Sequence, residues 1–141
     1  MTMKPLAIAF ALGISFLASP IQAQENAIEG MQEYMMFSDY EAGIIVPQQI
    51  DKDVFENVLF IDTRDGEQYE AATIPGAVNI EWREVLDRID EIPADRKAIL
   101  FCNTGSLSAQ AAFALRVAGR DNVVVLQTGF TGWQQDAAYK P

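Results

Sequence analysis

The chain has 141 residues, half of them hydrophobic, and carries a formal net charge of −10 at pH 7 from 10 basic and 20 acidic side chains. That length fits one domain with a real core, so global disorder is excluded, and the acidic balance argues against nucleic acid and anionic membrane as partners. With no histidine and a single cysteine, one chain can form no Cys–His or Ser–His pair and no internal disulfide, and a conventional zinc site is not expected.

The first residues read as an export signal. Lys4 supplies a short positive region, Leu6 to Ala18 is almost wholly apolar, and Ser19-Pro20-Ile21-Gln22-Ala23 has the character of a cleavage region. The expectation is a signal peptide over residues 1–23 and a periplasmic or secreted mature protein with no membrane association after cleavage. A transmembrane helix needs about 20 apolar residues, and this run is too short and ends at Pro20. No cysteine follows directly, so lipid attachment at a new N-terminal Cys is not expected. Cleavage after Ala23 would remove Lys4 and no acidic residue, moving the net charge from −10 to −11.

Residues 24–42 read as an N-terminal extension, and residues 43–141 as the domain. Met31, Met35 and Met36 lie near Tyr34 and Phe37 in the extension. Packing over the core explains them better than a soft-metal site, because Met and aromatic side chains fill irregular gaps. Ile44-Ile45-Val46 reads as a short strand, and Pro47 suits the first turn of a helix reaching Val54 or Phe55. Val58-Leu59-Phe60-Ile61 is a continuous apolar run, the mark of a strand covered on both faces. Asp62-Thr63-Arg64 ends it, and a short helix follows from Asp65 to Ala71.

Ile74-Pro75-Gly76-Ala77 is a turn, Val78-Asn79-Ile80 a very short strand, and Trp82 to Asp87 a helical segment. Ala98 to Phe101 is the next buried strand. The helix from Leu107 to Ala118 is apolar nearly all round, which places it in the middle of the fold, and Gly119 is its stop. Val123 to Leu126 is another buried strand, and Gly129-Phe130-Thr131-Gly132-Trp133 turns into a last helix. The pattern predicts a single α/β domain with a mostly parallel central sheet flanked by helices.

Cys102 stands where the strand ending at Phe101 hands over to the longest apolar helix. Ligands of parallel sheets bind beyond the carboxyl ends of the strands. Loop amides and the positive end of a helix dipole would converge on the sulfur there, lowering its pKa and making it a nucleophile. A buried, inert thiol is the alternative reading. Asp62 and Arg64 are read as an ion pair or cap that organises the loop after their strand. Trp82 and Arg83 are read as surface or packing residues that could reach a pocket rim, and the Gly129–Trp133 element as a turn with a packing anchor.

Four segments in order give the chain a recognisable likeness. These are Leu59-Phe60-Ile61-Asp62-Thr63-Arg64, Tyr69 through Ile74-Pro75-Gly76-Ala77-Val78-Asn79-Ile80, Phe101-Cys102-Asn103-Thr104-Gly105, and Gly129-Phe130-Thr131-Gly132-Trp133. Over roughly residues 43–134 the chain resembles the rhodanese superfamily in its single-domain form. The resemblance implies a sulfurtransferase without a metal or organic cofactor. Cys102 would be the nucleophile and sulfur carrier, and the backbone amides of Asn103, Thr104, Gly105, Ser106 and Leu107 would line the substrate cradle. A small donor such as thiosulfate, a polysulfide or a persulfide would load the cysteine, and cyanide or a thiol would accept the sulfur.

Three positions depart from the family pattern. Asn103 and Leu107 stand where the active-site loop often carries Arg (or Thr, at the second), and Thr73 stands where His commonly precedes Ile-Pro-Gly. Without a loop cation, no charge-assisted hydrogen bond can hold a sulfonate, so thiosulfate is not expected to be favoured. A competing reading is a rhodanese-fold binding module with weak catalysis that recognises a sulfur species or a partner protein. A cysteine phosphatase is excluded, because its anion loop ends in an Arg where this chain has Ser108.

Overall fold

The computed structural model describes residues 20–40 and 43–141. Most of the expected signal peptide therefore lies outside the described residues. Five short strands form one sheet: β1 (Ile44–Ile45), β2 (Leu59–Asp62), β3 (Val78–Asn79), β4 (Ala98–Phe101) and β5 (Val123–Leu126). Their order is β1-β5-β4-β2-β3, with every pairing parallel. The helices are α1 (Pro20–Phe37), α2 (Lys52–Asn57), α3 (Gly66–Ala71), α4 (Ser106–Val117) and α5 (Gly129–Asp136).

The pleat divides the apolar strand residues between two cores. Phe60, Ile99, Phe101 and Leu126 pack with Ile50, Phe130 and Trp133 on one side, while Ile61, Leu100 and Val123 pack with Ala111, Ala112 and Leu115 of α4 on the other. In the register of β2 with β4, Asp62 lies opposite Phe101. The two central strands thus release Asp62-Thr63-Arg64 and Cys102 side by side at the carboxyl edge of the sheet.

Three elements differ from the sequence reading. The helix expected after Pro47 is split into a 3-10 turn, Pro47–Gln49, and α2. Asp51 starts the second piece, its carboxylate accepting the Val54 amide at 2.8 Å. The segment from Trp82 is a run of turns ending in a 3-10 turn at Ile89–Glu91, with Val85 buried in the second core. Finally, α4 buries only Ser108, Ala111, Ala112 and Leu115, leaving Ala109 and Gln110 exposed.

The face of α4 away from the sheet is partly covered by α1. The Tyr34 and Phe113 rings meet edge to face at 5.3 Å, and Gly30 faces Val117, where an added Cβ would make an ordinary contact at 3.6 Å. Met31 lines the seam with Phe113 and Val117. Met35, Met36 and Phe37 are exposed, so only part of the methionine-rich stretch packs on the domain. Among the described residues no helix is long and apolar enough to cross a membrane.

Candidate active site

Cys102 leaves β4 at the middle of the sheet, and the chain turns under its sulfur through Gly105. That residue has φ of 102°, a left-handed conformation that favours glycine, and it caps α4 without a side-chain hydrogen bond. The cap is supplied by sulfur instead. The Gly105 amide donates to Cys102 Sγ at 3.2 Å, and the Ser108 hydroxyl lies 3.6 Å from the same atom. Ser108 belongs to the first turn of α4, whose amides have no helical acceptor.

These contacts settle the electrostatics of a thiol that is only 3% exposed. Burial pushes its pKa up, but the Ser108 amide, the Ser108 hydroxyl and the Thr104 and Gly105 amides push it down and prevail, so the thiol lies below its ordinary value. Ser108 has one hydroxyl proton and two acceptors, since its oxygen also lies 3.1 Å from the Gly105 carbonyl. Ionisation of the sulfur favours turning that proton toward Sγ. The rate of Cys102 alkylation is accordingly expected to rise with pH through a midpoint below the free-cysteine value of about 8.5. Ser108→Ala should move the midpoint upward. A midpoint at or above the free value, measured in the unsubstituted protein, would leave an inert buried thiol.

The loop around the sulfur is fastened from two sides. Phe130 and Thr131, at the start of α5, donate their amides to the Cys102 and Asn103 carbonyls at 2.8 and 3.1 Å. Gly129 makes this approach possible: a Cβ there would lie 2.4 Å from the Cys102 carbonyl oxygen. On the other side Arg64 donates from Nη1 to Asn103 Oδ1 at 3.2 Å, while Asn103 Nδ2 donates to Gln68 Oε1 at 2.7 Å.

Arg64 is nonetheless no free cation. Its Nε and Nη2 bind both oxygens of Asp62 at 2.9 and 2.6 Å, Nη2 also reaches the Ala72 carbonyl at 2.7 Å, and the guanidinium stacks 4.5 Å from the Phe130 ring centre. Both partners are buried. Thr73, at the position where the family commonly has His, donates to Asp62 Oδ2 at 2.8 Å and completes this pair. The sulfur loop therefore touches a neutralised ion pair, and the loop itself contributes no charge.

Of the residues read from sequence as the cradle, Thr104 and Gly105 act on the resting sulfur, and Asn103 turns its amide group to Arg64 and Gln68. Ser106 and Leu107 occupy the exposed first turn of α4, with Leu107 38% exposed. Trp82 packs partly against the second core, and Arg83 pairs with Glu81 at 3.1 Å. Sequence reasoning missed Ser108 as a partner of the sulfur, though a small polar residue in the first turn of that helix was a usable signal. The α5 amides gave no such signal, because backbone donors leave no trace in side-chain identity. Among the described residues no cluster of acidic or thiol side chains could hold a metal.

An all-parallel α/β sheet that presents one amide-held thiol at the carboxyl end of its middle strand defines a thiol-presenting domain. Residues 46–136 match the rhodanese-like domain family, and the chain belongs to it. It is 38% identical over 80 residues to an HTH-type transcriptional regulator of Mycobacterium tuberculosis, covering 55% of this chain and 34% of the relative. It is 32% identical over 78 residues to a sulfurtransferase of Allochromatium vinosum, covering 55% and 73%. The chain thus spans about a third of the length of the first relative. A rhodanese-related protein from Thermoplasma volcanium shares the fold, with a TM-score of 0.60 at 22% identity over 65% of this chain and 90% of that one.

Proposed function

We propose that the protein is an exported sulfurtransferase that carries sulfane sulfur as a persulfide on Cys102. The observation that carries this reading is the Cys102 sulfur held by the Gly105 amide at 3.2 Å above the first turn of α4. With thiosulfate as donor, the thiolate attacks the outer sulfur, the S–S bond to the sulfonate breaks, and sulfite leaves with the electron pair. Cyanide or a thiolate then attacks the terminal sulfur and the Cys102 thiolate returns, so the cycle needs no external oxidant or proton shuttle. An anionic persulfide is stabilised by N–H donors, which this loop has, and needs no imidazole, which this chain lacks. Relatives that include a sulfurtransferase support the same chemistry.

The test is mass spectrometry of the mature protein after incubation with thiosulfate, polysulfide or an organic persulfide. One added sulfur on Cys102, discharged by an acceptor thiol, is the expected result. The near closure of Cys102, at 3% exposure, favours a second reading, a binding module with little turnover. Sulfur bound without discharge, or no sulfur with any donor, would support that reading instead.

The uncharged loop directs donor preference. Charge-assisted hydrogen bonds are worth about 1.5–3 kcal/mol against about 1 for neutral ones, so one guanidinium at the loop mouth is worth about tenfold. Leu107→Arg should raise kcat/KM for thiosulfate by that factor, with a much smaller gain for a less charged persulfide, and the gain should shrink as salt is added. Equal or lower thiosulfate activity in the folded variant would mean that position 107 does not face the anion. Export is proposed from Lys4, the apolar run and Ala23. N-terminal sequencing of fractionated cells should find a mature chain beginning near Gln24, and an intact Met1 on cytosolic protein would refute it.

A further inference from the structure

On the outer side of the sulfur loop lies a second feature, whose aromatic and cationic walls sulfur transfer does not use. A cavity of about 400 Å³ is bounded by Thr104, Gly105 and Ser106 of the loop and by Tyr34, Phe113 and Arg116, and Cys102 does not line it. Its walls join two unlike surfaces. Tyr34 and Phe113 offer two aromatic rings in edge-to-face contact at 5.3 Å. Arg116 offers a guanidinium that lies 5.4 Å from the Tyr34 ring centre and makes one hydrogen bond, from Nη1 to the Val123 carbonyl at 3.1 Å.

Arg64, Arg83 and Arg88 each hold a carboxylate; among the described residues Arg116, like Arg96, has none within ion-pair distance, and its buried Nε has no hydrogen-bond partner. Its far side borders a separate cavity with Glu33, Asp39 and Asp121, whose charges repel an anion there. The aromatic cavity is the side from which an anion can reach the guanidinium. We propose that this cavity binds a small organic anion, an apolar or aromatic body carrying one carboxylate. The rings take the body and Arg116 takes the charge. The site lies beside the chemistry at Cys102 and shares Thr104 and Gly105 with it, so a bound ligand touches the residues whose amides act on the sulfur.

The experiment is an amide NMR titration of the mature protein, as wild type and as Cys102→Ser, with phenylacetate and with its uncharged counterpart phenethyl alcohol. Saturable shifts centred on the Thr104–Ser106 amides are expected in both proteins, with phenylacetate about tenfold the tighter ligand. Arg116→Gln should remove that difference and leave the alcohol unchanged. Ala109→Trp, at an exposed position on the cavity wall, should abolish binding of both probes without deleting any contact of the fold. No saturable shift at Thr104–Ser106, equal affinity for the two probes, or undiminished binding to the Ala109→Trp protein would each overturn the proposal. Because Cys102→Ser carries no thiol, this result stands or falls separately from sulfur transfer.

Discussion

Cys102→Ser protein should take up no sulfur from any donor and transfer none, a loss of about a thousandfold or more against the unsubstituted protein. The reason is covalent, since a persulfide needs a sulfur to bond to and this is the only one the chain can offer as a thiol. The fold should be nearly indifferent. The serine oxygen keeps the role of acceptor for the Gly105 amide, which otherwise donates to sulfur at 3.2 Å, and the side chain shrinks only slightly. The pair of measurements is a single-turnover sulfur-loading assay and a urea midpoint. Loss of loading with an unchanged midpoint supports the persulfide role. Retained loading would place the carried sulfur elsewhere, and a collapsed midpoint would mean that the thiol holds the structure together.

Much of this arrangement was legible in the sequence. Continuous apolar runs at Ala98–Phe101 and Val123–Leu126 coincide with β4 and β5, because strands covered on both faces are built mostly of apolar residues. The position of Cys102 followed from the same rule, since the first residue after such a run sits at the edge of the sheet. The short elements were less visible. Trp82–Asp87 has helical composition but folds as turns, and Asp51 restarts a helix that Pro47 had opened. The site was legible only as far as side chains carry it. Asp62 and Arg64 could be read as a pair, but the link from Arg64 to Asn103 spans 39 positions and depends on the β2–β4 register. Packing of the N-terminal extension over the core was expected, but neither the helix α1 nor its seat on α4 was, and the cavity beside them draws its walls from α1, α4, the sulfur loop and the sheet, so no single segment carries its signature.

Gly129 is the position where the fold and the site depend on one atom. Gly129→Ala is expected to destabilise the protein by about 3 kcal/mol, from about 1 kcal/mol for left-handed backbone and about 1 kcal/mol for each of two hydrogen bonds lost. The backbone there has φ of 59°, and the added Cβ would lie 2.4 Å from the Cys102 oxygen, 2.7 Å from the Asn103 carbonyl carbon and 2.8 Å from its oxygen. All three neighbours are backbone, so no side chain can swing aside, and either α5 or the sulfur loop must move. Either movement parts the Phe130 and Thr131 amides from the carbonyls they bind at 2.8 and 3.1 Å. The loop amides then lose their aim, so the Cys102 alkylation midpoint should rise and sulfur loading should slow in whatever fraction stays folded. Gly66→Ala is the matched control. It lies in the first turn of α3 with nothing within 4 Å of the added carbon, and should be neutral or slightly stabilising. Urea unfolding of both variants measures the contrast. A Gly129→Ala protein as stable as the Gly66→Ala one, with an unshifted alkylation midpoint, would show that α5 does not hold the sulfur loop in place.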